Sequence, residues 1–170
     1  MMKRTFALFL LTVTLLATNS CSISLSGSSI GELKTIKVEY FENNSQIVVN
    51  YLSQQFTESL KDRIRSTTSL SIIQGEGQAR MSGTITGYTI EPISVQATNS
   101  NVAPIAGAER LTITVSVVYT NSIDKKNSFT QSFSEHQDFT GDINNQEQKL
   151  VTAIIKQLTD DIFNRAFANW

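Results

Sequence analysis

The chain has 170 residues, 40% hydrophobic and 17% charged, with 8 glycines and 2 prolines, which excludes a disordered or fibrous protein and fits one ordinary globular domain. A folded chain of this length buries roughly 68–70% of the surface its unfolded form exposes, so it needs no disulfide staple, and with one cysteine it can form none internally. The formal net charge of −1 offers no overall basic surface for phosphate, which argues against a nucleic-acid partner.

Residues 1–20 differ from the rest. Lys3 and Arg4 form a positive end, Phe6 to Ala17 is apolar apart from Thr12 and Thr14, and the small Ser20 precedes Cys21. This is the three-part plan of a secretory signal peptide. The apolar run is shorter than the about 20 residues a bilayer-spanning helix requires. An exported chain with one unpaired cysteine calls for a role for that thiol. Its place at the cleavage border matches bacterial lipoproteins, whose first mature residue is a cysteine carrying diacylglycerol. Cleavage is expected between Ser20 and Cys21, although Thr18 and Asn19 depart from the usual lipoprotein box. Losing Lys3 and Arg4 with no acid lowers the 14 basic side chains to 12 against 15 acidic ones, a mature net charge of −3.

Residues 21–31 then read as a lipidated N-terminus and tether, since "SISLSGSSIG" is small, polar and glycine-containing. A single domain is expected over 32–170. "LKTIKVEYF" alternates, placing Ile36, Val38 and Tyr40 on one face of a half-buried strand. From Ile47 the period changes, and Val49, Leu52, Phe56, Leu60 and Ile64 mark an amphipathic helix to about Ser66. Lys61, Arg63 and Arg65 near its end either complement the helix dipole or form an anion-binding patch.

"SLSII" reads as a brief strand closed by "QGEGQ". Three long strands follow in "ARMSGTITGYTIEPI", "ERLTITVSVVYTNS" and "NSFTQSFSEHQDF". With no helix between them they favour an antiparallel meander. One expected face carries Thr84, Thr86, Tyr88, Thr112, Thr114 and Ser116, and is either solvated or docked to a partner. The connection between the first two strands brings Val102, Pro104 and Ile105 toward a loop tip, a candidate contact surface. In "DINNQEQ", Asn144 with Glu147 three residues later approximates a capping box. Leu150, Val151, Ile154, Ile155, Leu158, Ile162, Phe163 and Phe167 then form a wide apolar helical stripe. The expected fold is α+β, a two-layer sandwich with two helices on one face of a mostly antiparallel four-stranded sheet. Its order is β-α-β-β-β-α with a possible extra short strand.

Chemical motifs are sparse. His136 is the single histidine; Glu135 beside it points to the opposite face of a strand, and no converging ligand set for zinc is spaced around it. There is no G-x-S-x-G nucleophile context, and Gly75, Gly77, Gly83 and Gly87 form neither G-x-G-x-x-G nor a P-loop. No enzymatic activity and no metal are expected.

In order along the chain, Cys21 followed by "SISLSGSSI", then "KTIKVEYFEN", "LSQQFTESLKDRI", "GTITGYTIEP", "RLTITVSVVYTN", "FTQSFSEHQDF" and "DIFNRAFANW" resemble the LptE-like lipopolysaccharide-assembly lipoproteins. The resemblance covers essentially the whole mature chain. It implies a non-enzymatic lipoprotein of the Gram-negative outer membrane that plugs and helps assemble an LptD-like β-barrel, and that binds lipopolysaccharide. It also implies a covalent diacylglycerol and an N-acyl chain such as palmitate on Cys21, with no other cofactor. Only Cys21 carries over residue by residue; Lys61, Arg63, Arg65, Arg80 and Arg110 are candidate lipopolysaccharide or partner contacts. No acid directly follows Cys21, so the anchor is expected on the periplasmic side. The rival readings are a periplasmic binding module of another envelope system, and an envelope hydrolase resting on Ser, Asp and His136.

Overall fold

Alternation in "LKTIKVEYF" builds a strand that has helices on only one side. In the computed structural model, which describes residues 31–93 and 107–168, β1 (Thr35–Val38) buries Ile36 and Val38. Tyr40 does not follow them inward and is 58% exposed, while Phe41 is fully buried. The reason is one extra residue. Val38 lies opposite Met81 and Glu42 opposite Thr84, so four steps of this strand face three of its neighbour. A bulge of that kind exchanges the faces of the chain beyond it. It also separates a two-residue strand, β2 (Glu42–Asn43), that the sequence pattern does not announce.

Helix α1 spans Leu52–Thr67 and buries Leu52, Phe56, Leu60 and Ile64 at the expected spacing. Its start falls later than Ile47: Ile47 and Val48 are 49% and 65% exposed, outside the helix. The chain returns as β3 (Ser71–Ile72), parallel to β1. A strand that leaves through a helix and rejoins the sheet as a neighbour comes back parallel.

Strands β4 (Ala79–Pro92), β5 (Ala108–Asn121) and β6 (Phe129–Thr140) form the antiparallel meander. β1 and β2 both pair with β4 in parallel, giving the order β3-β1-β4-β5-β6 with β2 against the further part of β4. The sheet is therefore mixed and six-stranded, rather than four-stranded and mostly antiparallel. β4 contains a second irregularity, where the register shifts between Ile85 and Gly87. Before it Met81 and Ile85 point inward; after it Tyr88 does, only 2% exposed. Tyr88 thus leaves the face expected for it and joins the core.

Helix α2 spans Glu147–Phe167, burying Val151, Ile154, Ile155, Leu158, Ile162, Phe163 and Phe167. Asn144 does not cap it. Residues Ile143–Asn145 form a 3-10 turn capped by the side chain of Asp142, and α2 begins after Gln146 without a side-chain cap. Both helices cover the same sheet face and run in the same direction, since Gln55 bonds Thr152 and Arg63 meets Asp160. The two-helix, two-layer α+β plan holds.

Candidate functional site

Each of the five candidate cations meets a carboxylate of its own chain. On α1, Lys61 Nζ lies 2.8 Å from Glu58 and Arg65 2.9 Å from Asp62, both pairs three residues apart. Arg63 crosses to α2, with Nε 2.9 Å from Asp160 and its guanidinium 4.8 Å from the centre of the Phe163 ring. Arg80 on β4 is 2.8 Å from Glu39, which also draws in Lys37 at 3.3 Å. Arg110 on β5 holds Asp138 of β6 through two hydrogen bonds of 2.6 and 2.9 Å. Arg80 foremost, then Lys37, keeps the Glu39 carboxyl below its ordinary range, and Arg110 does the same for Asp138.

These residues do not form one patch. Arg63 is tied between the helices and Arg110 sits on the uncovered sheet face. Lys61 and Arg65, by contrast, line a groove of about 410 Å³ together with Lys37, Val38, Glu39, Tyr40, Ile72, Ile73 and Gln74. The groove exists because β3 is so short. Its last sheet bond is from the Ile73 N–H to the Ile36 carbonyl, 2.9 Å, leaving the rest of β1 uncovered between α1 and the sheet. Glu39 links the groove to Arg80. Lys37 alternates with the core-facing Ile36 and Val38, so its charged end lies with Glu39 and Arg80 on the uncovered sheet face, and the charge facing the groove from the helix side comes from Lys61 and Arg65.

The uncovered sheet face carries half-exposed Thr84, Thr112, Thr114 and Ser116, with Thr114 and Ser134 hydroxyls 2.9 Å apart. Thr86 is exposed, bonding the Thr114 carbonyl at 3.4 Å. His136 is exposed there, opposite Thr112, and Glu135 points the other way. Among the described residues no group of three His, Cys, Asp or Glu side chains is placed to hold a metal. No described helix is long and apolar enough to cross a membrane. Ser20, Cys21, Val102, Pro104 and Ile105 lie outside the described residues.

Two helices on one face of a mixed six-stranded sheet define a small two-layer α+β domain. The family model described as lipopolysaccharide-assembly, LptE, matches residues 33–166. The chain belongs to this family, one of non-enzymatic envelope lipoproteins whose role is in lipopolysaccharide assembly.

Solved structures share the fold at low identity. The rare lipoprotein B of Shewanella oneidensis superposes with a TM-score of 0.54 at 12% identity, covering 77% of this chain and 92% of that one. The hypothetical protein CT253 of Chlamydia trachomatis gives 0.53 at 10%, covering 81% and 99%. An uncharacterized lipoprotein B of Nitrosomonas europaea gives 0.51 at 9%, covering 77% and 80%. No curated protein matches the sequence.

Proposed function

We propose that this chain is an outer-membrane lipoprotein, acylated on Cys21 after loss of residues 1–20, that serves as the plug and assembly partner of an LptD-like β-barrel in lipopolysaccharide transport. The observation that carries this reading is the family match over 33–166; the leader-like composition of residues 1–20 ahead of the single cysteine supports it. The anchor sits on the periplasmic side. Phosphates of lipopolysaccharide exchange with the carboxylates of Glu58 and Asp62 at the groove edge formed by Lys61 and Arg65.

Affinity purification of the full chain from detergent-solubilised outer membranes tests this. The expected result is co-purification of a large heat-modifiable β-barrel protein together with lipopolysaccharide. Purification in good yield without a barrel partner would overturn the plug assignment and favour a free-standing periplasmic binding module.

A further inference from the structure

We infer that the end of the domain formed by residues 31–34 and the turn 122–128 rests on the phospholipid surface that holds the Cys21 acyl chains, with Ile123 entering the interface and Lys34, Lys125 and Lys126 meeting headgroup phosphates. This rests on the acylation of Cys21 proposed above and concerns the lipoprotein on its leaflet before a barrel encloses it.

The first argument is reach. Nine residues lie between Cys21 and Gly31, and the ten steps from one to the other span at most about 36 Å. β4 runs the length of the sheet from Ala79, beside Ile36 near the start of β1, to Pro92 at the far end. Its 14 residues extend about 43 Å at the usual strand rise. If the far end sat on the leaflet, Gly31 would stand further from the membrane than the connecting chain can reach. The near end is the one that the anchor can seat.

Chemistry at that end agrees. Gly31, Glu32 and Leu33 line the same small cavity as Ile123, Asp124 and Asn127, so the chain leading to Cys21 joins the domain beside the β5–β6 turn. Ile123 is 49% exposed at the head of this turn. The following residues Lys125–Asn127 are fixed as a 3-10 turn, with Asp124 accepting from the Lys126 N–H and the Asn127 amide. Asp124 is thereby engaged locally. Among the described residues Lys34, Lys125 and Lys126 meet no carboxylate at ion-pair distance. At the opposite end, once the Arg110–Asp138 pair is set aside, Glu91, Glu109, Asp142 and Glu147 stand against Lys149. With Glu32 and Asp124 counted against its three lysines the first end carries a net +1, against −3 for the residues named at the second, so an anionic leaflet favours the first end.

One apolar side chain and three lysines bind a bilayer weakly by themselves. Tethering changes this, because a short linker holds the contact at an effective concentration on the order of millimolar. A weak contact then suffices to orient the domain.

The test uses the acylated mature chain in vesicles of phosphatidylethanolamine and phosphatidylglycerol, with a fluorophore on Ser122→Cys or, at the far end, Thr140→Cys. Acylated Cys21 has no free thiol to compete for the label. Nitroxide lipids are expected to quench the label at 122 severalfold more than at 140. Combining Ile123→Ser, Lys125→Glu and Lys126→Glu should bring quenching at 122 down to the level at 140, with vesicle binding unchanged. Equal quenching at both positions, or quenching at 122 that survives the triple change, overturns the inference. Intact mass of Cys21 separates the two failures. A missing acyl mass removes the anchor and this inference with it, whereas acylated protein with equal quenching removes only the inference.

Discussion

Arg63 and Asp160 join the two helices across a 2.9 Å ion pair, and the same guanidinium lies over Phe163 one turn further along α2. The two contacts fix how α1 and α2 sit side by side on the sheet. They also make Arg63 a poor ligand for an external anion, because turning outward would sacrifice both. A half-exposed ion pair contributes roughly 0.2–1 kcal/mol, and a cation over an exposed ring about 0.5–1 kcal/mol. Arg63→Ala should therefore lower stability by about 1–2 kcal/mol in urea unfolding, with Asp160→Ala showing a smaller loss. A double-mutant cycle returning no coupling between them would refute the bridge.

Tyr88 reaches the core because of the irregularity at Thr86, and its hydroxyl donates to Glu147 at the start of α2 over 2.6 Å. Burial first, and then the Glu147 carboxylate, push its ionisation well above the ordinary tyrosine range, so it remains a donor at all physiological pH. Tyr88→Phe leaves the ring in place and removes only this bond to a charged acceptor. The half-buried Glu147 can turn to water, so the expected cost is about 1–2 kcal/mol. In Glu147→Gln the same Tyr88→Phe change should cost clearly less, and equal losses in both backgrounds would exclude the bond as the cause.

On the core side of β6, burial and then the neighbouring Asp161 carboxylate raise Glu135 above its ordinary value of 4.5, with His136 opposing weakly. The folded state then holds this proton more tightly than the unfolded state does. Its contribution to stability is most favourable at acid pH and falls as pH rises through the region above 4.5. Glu135→Gln should flatten this part of the pH–stability profile and raise the melting temperature near pH 7. A melting temperature that falls at pH 7 would contradict the sign.

Gly83 faces the core of β4, where an added Cβ would lie 2.6 Å from the Phe41 ring and collide with the Ser116 carbonyl. Phe41 occupies that space only because of the extra residue between β1 and β2, so bulge and glycine are complementary. Overpacking against backbone has no cheap relief. Gly83→Ala is expected to cost about 3 kcal/mol, measured by denaturant unfolding. Gly75→Ala, with nothing within 4 Å of the new carbon, should be close to neutral.

The same two places mark what sequence could reveal. Helices and long strands were legible because periods of 3.6 and 2 survive over many residues, as Leu52 to Ile64 and Leu111 to Tyr119 show. Tyr40 and Tyr88 went to the wrong faces because a single inserted residue reverses every later side chain, and no local composition marks it. Parallel pairing of β1 with β4 follows from topology rather than from either segment. The basic side chains were visible as types, but Glu39 for Arg80 and Asp160 for Arg63 come from distant segments, as does the placing of Lys37 beside Arg80.

That difference among the cations gives the sharpest functional prediction. Lys61 and Arg65 are held by Glu58 and Asp62, whose side chains are 51% and 72% exposed. Surface pairs three residues apart on a helix are worth only a few tenths of a kcal/mol. A phosphate, with greater charge and three acceptor oxygens, should displace such carboxylates readily. Arg63 is held by two contacts between helices, and Arg110 by a bidentate pair on the opposite side of the sheet from the helices. Lys61→Glu with Arg65→Glu should reduce lipopolysaccharide retained by the purified chain severalfold, and the remaining binding should respond less to added salt. Arg110→Gln should leave retention nearly unchanged. Arg63→Gln should lower stability more than it lowers binding. Retention that is insensitive to the Lys61 and Arg65 reversals but lost with Arg110→Gln would move the ligand from the groove to the uncovered sheet face.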